Sequence, residues 1–240
     1  TCTGTIKNVV VNANAGSFVK GNSSVGGIAG QLQPSATGGE LTFENCSSNI
    51  DVTAQQFYAG GIIGALKVGA SVSDCHSGAS ATISAFNNNA NSAYIMYSRA
   101  GGIVGDGNAV KDNSANIFYC TSAATVQTYL SHGNQYQRAG GIIGSTFYTD
   151  VVGCYSTATV KANAKGYAQA GGIVGYVEVG AVTSNISKAT IMTNTVVEGF
   201  SQSYNQSHVN GGIVGHAGHG NISPAAIIKN NLSMATQIIG

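Results

Sequence analysis

The pentapeptide Gly101-Gly102-Ile103-Val104-Gly105 constrains this chain most, because it recurs. Its counterparts are Gly26-Gly27-Ile28-Ala29-Gly30, Gly60-Gly61-Ile62-Ile63-Gly64, Gly140-Gly141-Ile142-Ile143-Gly144, Gly171-Gly172-Ile173-Val174-Gly175 and Gly211-Gly212-Ile213-Val214-Gly215, spaced by 31 to 41 residues. Such a period marks a solenoid, a propeller or an array. A second landmark follows each copy and reads apolar-x-x-Cys/Asn-x-Ser. It is centred on Cys46, Cys75, Cys120, Cys154, Asn185 and Asn231, with Val9 in the same slot near the start. A small-and-branched alternation comes next, as in Ala79-Ser80-Ala81, Ala124-Thr125-Val126, Ala158-Thr159-Val160 and Ala189-Thr190-Ile191. Each repeat therefore offers three short β segments, and no stretch holds a helical period.

Paired glycines need a reason, since a glycine inside a strand or helix costs roughly 0.5–1 kcal/mol. A sharp corner is one, with the backbone at positive φ or packed closely, leading into a strand whose Ile lies in the core. A nucleotide-binding glycine loop is excluded by context: no helix pattern and no Lys-Ser/Thr follows. In the last segment, alternation turns Ser, Ala and Val/Ile inward. It turns Asp51, Ser80, Thr125, Thr159, Thr190 and Thr236 outward. The next outward positions, Thr53, Thr82, Gln127, Lys161, Met192 and Ile238, are too mixed for a flat ice-binding threonine array. The four cysteines in one slot read as a column of small buried thiols, continued by side-chain amides at Asn185 and Asn231. A disulfide between coils is within geometric reach, because stacked strands lie about 4.8 Å apart.

Gly-Gly-Ile-Val-Gly followed by Ile-x-x-Cys-x-Ser resembles the GLUG repeats of secreted and surface proteins, over nearly the whole chain from Ile6 onward. It is similar, less closely, to the repeats of chlamydial polymorphic outer-membrane proteins. The resemblance implies a surface-exposed β-solenoid, often in adhesins or in the non-catalytic part of a larger secreted protein, and it carries over no catalytic residue.

The expected fold is all-β: a parallel β-solenoid (β-helix) with three short strands per coil and about six and a half coils. Right-handed winding follows from the handedness of parallel crossovers. A propeller is the runner-up. Residues 1–240 are expected to form one repeat domain, part of a longer chain or assembly, with 43% hydrophobic residues and only two prolines to interrupt its ladders.

Charged residues make up 8% of the chain and the formal net charge is +1, so nothing electrostatic favours nucleic acid or an anionic membrane. No apolar run reaches the roughly 20 residues of a membrane-spanning helix. Nine carboxylates are scattered over different phases of the repeat, whereas a glycosidase needs two facing each other. His216-x-x-His219, with His208 upstream, lacks a completing carboxylate or thiolate. No cofactor and no metal are expected.

Insertions at about 84–99, 127–138 and 194–209 fall at one phase and should project from one edge. They are rich in Asn, Gln, Ser and Tyr, and Arg99 and Arg138 each lie two residues before a glycine pair. The expected partner-binding residues are Tyr94, Tyr97, Arg99, Tyr129, His132, Tyr136, Arg138, Tyr167 and Tyr204, whose aromatic faces and donors suit a glycan or a protein. Asn22, Asn205 and Asn221 head glycosylation triplets in loops.

These features lead to three expectations of function. The first is a non-enzymatic extracellular or cell-surface scaffold or adhesin segment. The second is a filament subunit whose copies meet end to end, because unpaired solenoid ends invite stacking. The third is a β-helical polysaccharide-degrading enzyme.

Overall fold

Every element among the described residues is a strand, and each strand stacks on its counterparts in neighbouring repeats. The computed structural model describes residues 4–14, 16–33, 40–67, 69–87, 97–130, 136–164, 166–195, 208–218 and 225–239. One coil shows the plan. It runs through Tyr97–Gly101, Val104–Asn108, Ala115–Phe118, Thr121–Ser122 and Thr125–Leu130, then returns at Tyr136–Gly140 alongside its own start. All the ladders between coils are parallel, and they form five sheets of six or seven strands. The three expected segments are all present. A tight bend divides the glycine segment and another divides the Cys segment, so three segments make five ladders. Three ladders have seven strands and two have six, because the first coil enters after its glycine segment.

The glycine bend does not interrupt the stack. Gly102 N, Ile103 N and Val104 N donate to carbonyls of Gly140 and Ile142 in the next coil, at 3.3, 2.9 and 3.1 Å. None of the motif glycines has positive φ; the positive-φ glycines among the described residues are Gly16, Gly69, Gly153, Gly180 and Gly218. Close packing is therefore what the pair is for. A Cβ on Gly102 would run into Ser122 Oγ and into the carbonyl oxygen of Gly141. The same meeting of second glycine with the Ser of Cys-x-Ser recurs in every coil, from Gly27 with Ser48 to Gly212 with Ser233.

This contact is a waist that separates two cores. On one side, the strand after the bend and the Cys strand enclose large side chains: Ile62, Ile103, Ile142, Ile173, Phe43, Ile117 and the thiols. On the other, the strand before the bend and the last strand enclose a layer richer in Ala and Val, such as Ala100, Ala139, Val126 and Val160, with Ile83 and Ile191 among them. The composition of each wall follows from the space the waist leaves.

The second bend, before the Cys slot, uses positive φ. Asn8, Asn45, Asp74, Tyr119, Ser184 and Asn230, with Gly153, hold φ between 51° and 67° at the same point of successive coils. Asn and Asp tolerate this region better than other L-residues. Cys46, Cys75, Cys120 and Cys154 follow as free, buried thiols. Asn185 extends the column: its Oδ1 accepts from Cys154 N at 2.8 Å, and its Nδ2 donates to Val151 O and to Asn231 Oδ1, each at 3.0 Å. The outward column differs from expectation at two places. Register places Thr82, not Ser80, beside Asp51 and Thr125, and Gln237, not Thr236, beside Thr190. A turn at Ala79–Ser80 lengthens that coil, and sequence alternation alone does not register it.

Two expectations follow. Gly102→Ala should destabilise the protein by about 3 kcal/mol in urea unfolding, the upper range for an overpacked core. A loss under about 1 kcal/mol would mean that the waist can open. The thiols should resist a maleimide until the chain is denatured, and rapid native labelling would contradict the buried column. Burial raises the Cys46 pKa; at Cys75 and Cys120 the thiol one coil on is the larger cause and burial adds to it. Folded, Cys46, Cys75 and Cys120 stay protonated where unfolded thiols ionise, so their contribution to stability is complete below about pH 8.5 and falls as pH rises past it.

Candidate functional site

The outer side of the glycine bend is where the repeat stops repeating. On the strand before the bend, one column reads Tyr58, Arg99, Arg138, Gln169 and Val209 from coil to coil. Across the bend, the facing column reads Gln31, Ala65, Asp106, Ser145, Tyr176 and His216. The Ile of the glycine motif, by contrast, is the same in all six coils, whereas these two columns mix charged, polar and aromatic residues. Since the inward positions on both strands face the cores, these two columns meet each other in a recess roofed by tyrosines.

Two guanidiniums occupy that recess. Arg99 is ion-paired with Asp106, whose side chain is 1% exposed against 14% for the arginine. Arg138, 7% exposed, has neutral hydrogen-bond partners among the described residues: its Nε donates to Gln169 Oε1 at 2.9 Å and an Nη donates to Ser145 Oγ at 3.4 Å. Its guanidinium lies 3.6 Å from the centre of the Tyr176 ring, 4.7 Å from Tyr97 and 5.6 Å from Tyr136. Arg99 lies 5.0 Å from the Tyr97 ring centre and 5.1 Å from that of Tyr58. Burial and the charge of Arg99 lower the Arg138 pKa to about 10. Burial also works against the charge on Arg99, but the Asp106 carboxylate holds its pKa above the ordinary value. Burial raises the phenols of Tyr58 and Tyr176.

Beside the recess the strands before the bend begin with a column of tyrosines. Tyr97 and Tyr136 stack at 5.4 Å between ring centres, and Tyr136 and Tyr167 at 4.4 Å with planes 12° apart. The faces are turned on one another, so the column offers ring edges and hydroxyls to a visitor. That changes the chemistry expected of it from face stacking to hydrogen bonding.

Of the residues singled out in the sequence, Tyr97, Arg99, Tyr136, Arg138 and Tyr167 come together here. Tyr129 lies elsewhere, on the last strand of its coil, with its ring 6.3 Å from Phe86. Tyr94, His132 and Tyr204 lie outside the described residues, as do Asn205 and Asn221, while Asn22 is exposed in a bend. Of the histidines weighed for metal, His216 sits 5.5 Å from Tyr176, and His219 is outside the described residues. Sequence reasoning missed Tyr58, Asp106, Ser145, Gln169 and Tyr176. The signal was available: Arg99 and Asp106 sit seven residues apart, one on each side of a sharp bend, as do Arg138 and Ser145.

No protein-family model matches the chain, and no curated protein matches it. Among solved structures, a Bacteroides ovatus protein described as a candidate immunoglobulin A1 protease matches with a TM-score of 0.55 at 18% identity. The match covers 95% of this chain and 66% of that one. It shows the fold. The GLUG resemblance rests on its motifs alone, since no family model supports it. The expectation that this chain is not an enzyme, drawn from the motif resemblance and the scattered carboxylates, is overturned: a protein of the same fold is described as a candidate protease. A fold does not decide between catalysis and scaffolding.

Asp106 carries the only carboxylate paired in the recess among the described residues. Asp106→Asn should therefore leave two buried guanidiniums without a counter-charge and cost about 3–5 kcal/mol. Thermal unfolding measures it, and an unchanged melting temperature would show that solvent, not Asp106, neutralises Arg99.

Proposed function

We propose that this chain is a β-solenoid segment that works outside the cell or on its surface, within a longer chain or assembly, and that the outer side of its glycine bend recognises a partner. One observation carries the reading. Five residues chosen for lying beside the insertions, Tyr97, Arg99, Tyr136, Arg138 and Tyr167, converge on one recess whose composition changes from coil to coil. Tyr97, Tyr136 and Tyr167 begin strands that pair in register from coil to coil, which lines these tyrosines up beside the recess. The GLUG resemblance supports the location, as does the 8% charged composition, which leaves recognition to polar and aromatic contacts. A partner of the protein or glycan class fits that chemistry.

The test is a binding panel of surface glycans and extracellular proteins, immunoglobulin A1 among them, with cleavage of each protein scored alongside. The wild type should bind a member of the panel, and Tyr136→Ala combined with Tyr167→Ala should weaken that binding at least tenfold. Melting should drop by no more than about 5 °C, because stacked aromatic pairs contribute only about 0.5–1.5 kcal/mol each. Unchanged binding, or loss only in step with unfolding, would assign the tyrosines to packing. Cleavage that depends on the same residues would make this a substrate-binding edge.

A further inference from the structure

Among the described residues, the recess contains one positive charge more than its carboxylates balance. Arg99 takes Asp106, and Arg138, one coil on, finds Ser145 where its neighbour has the aspartate. Gln169 Oε1 and Ser145 Oγ are acceptors without charge, and the rings of Tyr176, Tyr97 and Tyr136 offer only cation–π attraction. Taking a guanidinium out of water costs more than such contacts return, unless an anion joins it. Arg99 Nε is buried without a hydrogen-bond partner in the same recess, a donor that an external oxyanion can use, while Asp106 Oδ2, equally unpartnered, calls for a donor such as a hydroxyl.

We propose that Arg138, flanked by Arg99, anchors the carboxylate of an acidic saccharide, with a uronic acid unit as the simplest case. The proposal rests on the reading that this edge recognises a partner, and it names the partner's chemistry. Guanidinium and carboxylate match in planar, two-pronged geometry. A saccharide is favoured over an acidic peptide by what surrounds the anchor. Protein-docking surfaces are also rich in Tyr and Arg, but as anchors whose faces the partner buries. Here both faces of Tyr136 are spent on Tyr97 and Tyr167, leaving its phenol hydroxyl and ring edge for a hydroxyl-rich ligand. The tyrosines also repeat once per coil, so successive sugar units could meet successive rungs.

The structure supplies its own control. Ser145→Asp would give Arg138 the partner that Arg99 already has, occupying the site from within. Calorimetry and melting curves on the whole chain would compare trigalacturonate, a neutral galactose trisaccharide, a glutamate tripeptide and inorganic sulfate at equal ionic strength. Trigalacturonate should bind the wild type at least tenfold more tightly than the other three and raise its melting temperature. Ser145→Asp should raise the melting temperature of the unliganded protein and lower affinity for trigalacturonate at least tenfold. Arg138→Gln should lower affinity equally, and it keeps the test open if the aspartate variant does not fold. Equal binding of the neutral sugar would overturn the anchor while leaving the edge a recognition surface. Preference for the peptide would assign a protein partner, and an equal response to sulfate would reduce the site to a free-anion one. Each of these results sinks the saccharide proposal. Binding of none of the probes sinks it too, and the wider panel then decides separately whether the edge recognises anything. No change in stability or affinity with Ser145→Asp would show that Arg138 is already satisfied.

Discussion

The approach of Gly102 to Ser122, repeated in every coil, is the contact on which the rest of the structure depends. It brings two walls of the solenoid close enough that a single methyl group has no room. From that follow the division into two cores, the bulky residues on one side and the alanines on the other. The glycine motif and the Cys-x-Ser motif are therefore one device read at two points of the chain. Neither glycine is there for backbone freedom. The second bend achieves the opposite, using positive φ at Asn8, Asn45 and Asp74 so that a side chain can be carried around the corner. A coil thus turns once by removing side chains and once by straining the backbone locally.

Because each coil repeats this closure, the connections between segments are free to vary in length. Main-chain hydrogen bonds link like segment to like segment, and a stack of this kind has the energetics of a chain of nearest neighbours. The recess departs from the repeat without weakening it. Its residues stand on the faces turned away from both cores, so Tyr58, Arg99, Arg138 and Gln169 can replace one another while Ala59, Ala100, Ala139 and Ala170 behind them stay the same. Places where a locally consistent sequence breaks its own rule are where function is expected.

Much of the fold was legible from the sequence because periodicity and burial have the same cause. Val9 stands in the Cys slot of the first coil, where its carbonyl accepts from Ser47 N as Cys46 does from His76 N. The thiol column and its amide continuation follow from the same alignment of motifs. The outward column was misread at Ser80 and Thr236 because a turn adds residues without disturbing composition. The site was half legible. Arg99 and Arg138 shared a position relative to the glycines, but the sequence does not say that the chain doubles back sharply enough for Arg99 to reach Asp106. The tyrosines were visible as residues and not as a stack, because stacking depends on parallel register between coils. The inference against catalysis failed for a different reason: it drew on a motif resemblance and on the lack of facing carboxylates, which bears on glycosidases, and a solved neighbour of the same fold is described as a candidate protease.

A buried guanidinium with neutral partners also says something about where stability is held. Desolvating one ion costs several kcal/mol, a large fraction of the roughly 5–15 kcal/mol that separates folded from unfolded states in ordinary domains. A globular core would feel that cost everywhere. In a solenoid it falls on the few coils whose interface contains the ion, and the ladders above and below are not asked to compensate. Arg138 lies between Tyr97 of the preceding coil and Tyr176 of the following one, with parallel ladders on either side, so the coils that share its cost are those whose side chains touch it.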